Sequence, residues 1–432
     1  MTENNIVLLN AILYVSFFLY NFWKYRFSRV TTFLSAMYAI SSIAAFLMFH
    51  FPLYESTFTA AGSPTLPACL YLFALNFLFI SWFNHCTMDK CKQLLNYNED
   101  IILLVEKVLV FSFFIYLIFH FPNSLARFLS SRDLDEMRDE LYTDRSESNI
   151  PFVSIISRVF GAMPVTLITL VCIRFFILRK ICIWDKLSLI FYFLFKLNLI
   201  LGAVSRATII FTVIEFIVVL MFFKNRISMQ IRKKIIKYGA IFVISSYLLF
   251  SLFTIARFGE KEEEAQTLQT LRYTGESQLN FMNLMYPDLQ QPFYGFGQFR
   301  LFRRMLGMKY DDGKGREEGS VYNTYARDDF GYPHPTYVFY GVAGNWVMNW
   351  GFVIPFIVSI WILFKLRNKY KHRRDKGLSV MTIIVTIMLS TYVGKGIFFA
   401  DYGGESGNMM ILILLGLTHW LSRRGNNITI PD

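Results

Sequence analysis

The stretch LSLIFYFLFKLNLILGAVSRATIIFTVIEFIVVLMFF, residues 187–223, decides the fold class. It reads as two apolar runs, 187–204 and 207–223, joined at Ser205-Arg206. Each is close to the roughly 20 residues that carry an α-helix across a bilayer. Hydrocarbon offers no partner to a free backbone N–H or C=O, so such runs are helices rather than open sheet. Two charges sit inside this hairpin. Lys196 lies ten residues before Arg206, and Glu215 nine residues after it. At ~1.5 Å per residue both fall roughly 13–15 Å from the turn, level with each other. An ionised group within a span is expensive alone, so the spacing predicts a Lys196–Glu215 ion pair holding the two helices together.

Further apolar runs lie on both sides, over 6–22, 30–50, 67–84, 101–120, 152–178, 239–256, 336–364, 378–399 and 409–421. With the hairpin they make about eleven transmembrane helices, an all-α polytopic bundle. The composition agrees: 54% of the 432 residues are hydrophobic, and the mean hydropathy is +0.40. The first run is followed by Lys24, Tyr25 and Arg26 rather than by small residues, so it reads as a retained helix and not a cleaved leader. The run 336–364 is longer than one span. Its first part holds Gly341, Gly344 and Asn345 and reads as tilted or interfacial.

The formal net charge of +12 does not point to nucleic acid, because the basic residues form short blocks beside the apolar runs. Blocks follow runs one, five, seven, nine and eleven, the strongest running from Lys365 to Lys376. By the positive-inside rule these are cytoplasmic. The N-terminus is then outside, the C-terminus inside, and every pair of blocks is separated by an even number of crossings. An acidic loop, 121–151, and a long polar segment, 257–335, fall outside. The chain divides into helices one to eight (1–256), a large outer loop (257–335) and helices nine to eleven (336–432). A loop of that size is usually functional. Arg174, at the inner end of the fifth run, reads as snorkelling to headgroups. Arg158, at its outer end, is a candidate for an anionic site. Five cysteines, none in the long loop, make a disulfide framework improbable. Cys86 and Cys91 lack companions for a zinc site.

Several short motifs resemble one family. Gly202-Ala203-Val204-Ser205-Arg206-Ala207 is similar to the Ser-Arg turn of O-antigen polymerases (Wzy). Arg257-Phe258-Gly259 resembles the Arg-aromatic-Gly that opens the large periplasmic loop there, and Leu271-Arg272-Tyr273-Thr274-Gly275 a further pattern within it. His334-Pro335-Thr336 with Gly341 and Gly344 resembles a His-then-glycine-helix pattern shared with O-antigen ligases, although Pro335 stands where the ligases have Asn. Arg304 and Gly315 fit a looser Arg–Gly spacing.

The resemblance implies a GT-C-like helical bundle in a bacterial inner membrane, with a periplasmic N-terminus. It implies sugar transfer between oligosaccharides linked to undecaprenyl pyrophosphate, and a chain-length regulator as a partner. The leaving pyrophosphate concentrates negative charge. Arg suits it, because the guanidinium fork binds phosphate oxygens bidentately and stays charged. Arg206, Arg257 and Arg272 are the expected pyrophosphate-binding residues, with Arg158 in reserve. The acceptor hydroxyl needs a base, and His334 is the histidine of the outer loop. Acidic alternatives are Asp311, Asp328, Asp329 and Asp401. Arg206 and His334 are the expected catalytic residues. The Asp133-Leu134-Asp135 pattern has the form of a metal-binding Asp-x-Asp. It sits in a mixed-charge segment, so a metal-independent, cofactor-free mechanism is expected. An O-antigen ligase, or a flippase or transporter of lipid-linked oligosaccharides, is the alternative reading, and a membrane scaffold the plainest one.

Overall fold

The computed structural model describes residues 1–51, 63–89, 91–130, 163–203, 206–258, 263–309, 325–329, 331, 334, 340–372, 377–398 and 405–430. In chain order the elements used below are α1 (Glu3–Tyr25), α2 (Val30–Phe49), α3 (Leu66–Ser81), β1 (Gln93–Tyr97), α4 (Glu99–Ser130), α5 (Pro164–Cys172), α6 (Ile183–Ala203), α7 (Arg206–Phe223), α8 (Met229–Phe258), α9 (Glu263–Asn280), α10 (Arg300–Met305), α11 (Gly341–Trp350), α12 (Ile354–Arg367), β2 (Leu378–Ser379), α13 (Val380–Lys395), α14 (Glu405–Arg424) and β3 (Asn426–Thr429).

The fold is helical, as expected. Among the described residues four helices are long and apolar enough to cross a membrane: Glu3–Ser28, Val30–Phe49, Glu99–Ala126 and Ala207–Arg226. The bent pair α11 and α12 makes a fifth if counted as one span. Helices α3, α13 and the stretch Pro164–Ile177 are apolar but shorter. Helix α6 has 21 residues but carries Asp185, Lys186 and Lys196. Several helices able to span a bilayer are consistent with a membrane protein.

Two compact units divide the chain. The first comprises Met1–Cys86, Glu262–His372 and Leu389–Met409. Here α1 packs along α2, and α9, cut from the polar segment 257–335, packs on α2 as well. Gly275 makes that crossing close: a Cβ there would collide with the backbone of Ala44 and Ala45. Helix α3 starts cleanly because Thr65 Oγ1 accepts from the Ala68 N–H and Pro67 stands in the first turn. The long apolar run before residue 364 is broken, and α11 and α12 meet at 118° across Gly351–Val353. Pro355 opens α12. A basic cluster of Lys24, Arg29, Arg367 and Lys371 surrounds His85; burial first, and then those charges, hold its imidazole below the ordinary value.

The second unit comprises Thr87–Lys261, Arg373–Met388 and Met410–Asp432. Helix α4 packs along α6, and extends past the expected end near residue 120, through Pro122 to Ser130. The sequence reading holds no strand, yet a small sheet is present, in the order β2-β1-β3. Strand β1 runs parallel to β2, with Leu94 opposite Leu378, and antiparallel to β3, with Leu94 opposite Ile428. Gly377 precedes β2 at φ +93°, and a Cβ there would meet Gln93 O at 2.7 Å, so this bend requires glycine.

The expected ion pair is present. Lys196 Nζ lies 2.8 Å from Glu215 Oε2, both groups are buried, and Tyr192 OH donates to the same oxygen at 2.9 Å. Arg174 departs from expectation. It is buried rather than snorkelling, with Nε 3.0 Å from Asp185 Oδ1, and each side chain is 4% exposed. Asp185, in the first turn of α6, supplies the counter-charge.

Candidate active site

The polar residues at the end of α9, Glu276, Ser277, Gln278 and Asn280, are buried. Asn10 on α1 donates to Gln278 Oε1 at 2.6 Å, and Gln278 Nε2 donates to Ser41 Oγ at 3.0 Å. Ser41 Oγ donates in turn to the Thr274 carbonyl at 2.6 Å, and Ser277 Oγ to the Ile397 carbonyl. A cavity of about 10 Å³ among Tyr38, Ser41, Asn76, Ser277, Gln278 and Gly341 has room for about one water molecule and none for a sugar. This network anchors α9 in the first unit.

Beyond α9 the chain turns through Phe281–Met285 into Tyr286-Pro287-Asp288. There Asp288 Oδ2 lies 2.5 Å from His334 Nε2. The imidazole side chain is 17% exposed and the carboxylate 40%, so the pair is reachable from solvent. A carboxylate on one ring nitrogen fixes the tautomer: with the proton on Nε2, Nδ1 carries the basic lone pair. Arg272, two turns before the end of α9, has Nε 3.4 Å from Glu276 Oε2, one helical turn on. The Arg272 side chain is 28% exposed, against 5% for that of Glu276.

The segment between Asp288 and α10 is tied to α11. Phe293 N–H donates to Met348 O at 2.8 Å. Trp350 Nε1 donates to Gln298 Oε1 at 2.6 Å, and Gln298 Nε2 to Asn345 Oδ1 at 2.7 Å. Asn408, on α14, donates to the Gln298 carbonyl at 2.6 Å. The glycine-bearing start of α11 is therefore not an isolated half-helix.

No family model, curated protein or solved structure matches this chain.

Of the sequence-assigned residues, His334 and Arg272 lie in the first unit with the partners just given. Arg206 heads α7 and Arg257 lies in α8, both in the second unit, with side chains outside the described residues. Arg158, Asp311, Asp401 and the Asp133-Leu134-Asp135 pattern lie outside them altogether. Asp329 lies 2.6 Å from Lys309 Nζ, and Asp328 3.2 Å from Arg327 Nε, so both carboxylates are ion-paired. Asp288 is the residue that sequence reasoning missed. It stands 46 positions from His334, and no local pattern connects them.

Proposed function

We propose that this chain is a periplasm-facing polymerase of surface-polysaccharide repeat units, of the O-antigen type. It moves a growing glycan from undecaprenyl pyrophosphate onto an incoming lipid-linked repeat. The observation that carries the reading is the His334–Asp288 pair, a histidine held by a carboxylate within the expected outer segment. In the reaction the acceptor hydroxyl oxygen bonds to the anomeric carbon, and the bond from that carbon to the pyrophosphate oxygen breaks. The hydroxyl proton passes to His334, and Asp288 stabilises the imidazolium that forms. Arg272 is suited to the departing pyrophosphate, because neutralising charge as it develops is a large catalytic term. Arg206, Arg257 and Arg158 keep the same role by their place in the sequence. The motif order, Ser-Arg turn, Arg-rich outer segment, then His before a glycine-bearing helix, supports this reading over a flippase.

The eleven-span, GT-C-like architecture with an outer N-terminus belongs to the same proposal. Hydrogen-bonded or facing segments must share a side, and the contacts within each unit agree with the assigned crossings. Strands β1, β2 and β3 are separated by six and then two of them. Lys180 meets Glu99 at 2.9 Å across two, and Asn225 meets Asp89 at 2.6 Å across four.

The test is deletion in the native host, complemented with wild type, Arg206→Ala or His334→Ala at matched expression. The reading expects a single-repeat surface glycan in the deletion strain, a full ladder with wild type, and a lost ladder with either variant. Loss of even the single-repeat product in the deletion strain would favour a ligase or flippase.

A further inference from the structure

In the second unit, α4 and the start of α6 gather acidic groups around Arg174. Ligand atoms of Glu106, Cys182 and Asp185 lie within 4.8 Å of one another. Asp185 is answered on both oxygens: the Cys182 N–H donates to Oδ2 at 2.6 Å, and Arg174 Nε stands 3.0 Å from Oδ1, near enough for an ion pair but off-line for a hydrogen bond. Glu99 is answered by Lys180. Glu106 is different. It is fully buried, and neither of its oxygens has a hydrogen-bond partner. Arg174 Nη1 and the Tyr97 hydroxyl are likewise buried and unpartnered. Buried polar atoms are nearly always satisfied, and an orphaned carboxylate aimed into a cluster is the costliest exception.

We propose that Glu106, Cys182 and Asp185 hold a divalent cation of the zinc class. Two carboxylate oxygens and a thiolate form a borderline-soft donor set that suits zinc and poorly suits magnesium or calcium. Zinc–ligand bonds of about 2.0–2.3 Å at tetrahedral angles place two donors about 3.3–3.8 Å apart, so the three side chains must draw together by about an ångström to close the site. Cys182 is half-buried just before α6 and is in no disulfide. Charge agrees as well. With the thiol ionised, Glu99, Glu106, Asp185 and Cys182 outweigh Arg174 and Lys180 by two negative charges, which a divalent ion neutralises. Binding exchanges the Cys182 thiol proton for the metal and involves no redox step. The ion would pin α4 to the start of α6. It stands apart from the proposed transfer chemistry and does not rest on it.

The test uses the full-length protein in nanodiscs, purified by a tag without histidine. Metal content is measured after equilibration with zinc and removal of excess, and cobalt(II) is added as an optical probe. The expected result is about one equivalent of zinc, a thiolate-to-cobalt charge-transfer band, and near-complete loss of both in Cys182→Ser and Glu106→Gln. Cys182→Ser changes one atom on a half-buried side chain, so it decides the matter even if Glu106→Gln does not fold. Zinc retained by Cys182→Ser, or wild type that binds none and shows no band, overturns the proposal. A zinc-indifferent protein stabilised by Glu106→Gln would identify a neutral acid instead, and would overturn it too.

Discussion

At the scale of single residues, the proposed chemistry turns on what Asp288 does for His334. A carboxylate 2.5 Å from Nε2 sets which nitrogen is basic and stabilises the imidazolium. Asp288→Asn keeps the shape and removes the charge. General-base assistance is worth about 10²–10⁴-fold, and the variant is expected to forfeit a large part of it. An initial-rate assay on purified lipid-linked repeats checks this; unchanged rates would reduce Asp288 to a turn residue. His85 gives a separate prediction on stability. Burial, helped by Lys371, Arg367, Arg29 and Lys24, holds its folded-state value below the unfolded one near 6.5. The unfolded chain therefore takes the proton first as pH falls. The contribution is present above about pH 6.5 and is lost as pH drops through the folded value. Thermal unfolding in nanodiscs should shift downward over that window, and His85→Gln should flatten the shift. Individual residues were unevenly legible. His334 stands out in the sequence because histidine is scarce. Asp288 does not, since a contact across 46 positions leaves no periodic trace. Glu106 carries a signal of its own, as a carboxylate inside an apolar run, but its neighbours Cys182 and Asp185 come from a different helix.

At the scale of elements, helical rise alone set Lys196 against Glu215, because a two-residue turn leaves little freedom of register. With Tyr192 as a third partner the pair is buried and hydrogen-bonded. Removing one member strands the other, at a cost of about 3–5 kcal/mol. Lys196→Met is expected to lower the yield of monodisperse protein and its unfolding temperature, and the swapped pair Lys196→Glu with Glu215→Lys to restore much of both. Equal damage in the single and double variants would show that the charges do not act as a pair. Arg174 teaches the converse. Position on one helix suggested a headgroup contact, whereas the counter-charge at 3.0 Å sits on the next helix, beyond the reach of a one-helix argument. The sheet was illegible for a similar reason. Strands of five, two and four residues are too short for a period-two pattern, and each pairs with a segment distant in sequence. The break between α11 and α12 was partly visible in the glycines and in a run too long for one span.

For the whole molecule, the proposal turns on which side of the membrane each outer and inner segment faces. In the proposed assignment apolar runs and basic blocks set the parity of the crossings, and the ladder of β1 with β2 and β3 is compatible with it. Parity does not say which side is outside; that rests on the positive-inside rule, a bias in insertion rather than a contact. The two arguments separate under labelling. Asn426, exposed in β3, and Lys309, about half exposed after α10, are assigned to opposite sides. With the five native cysteines replaced, Lys309→Cys should react with a membrane-impermeant maleimide in intact cells, and Asn426→Cys only after permeabilisation. The reverse pattern would keep the parity and invert the protein. His334 and Asp288 would then face the cytoplasm, where nucleotide sugars are available, and the polymerase reading would fail. Labelling of both sites in intact cells would instead break the parity itself, leaving an even number of crossings between two segments that the eleven-span assignment separates by three.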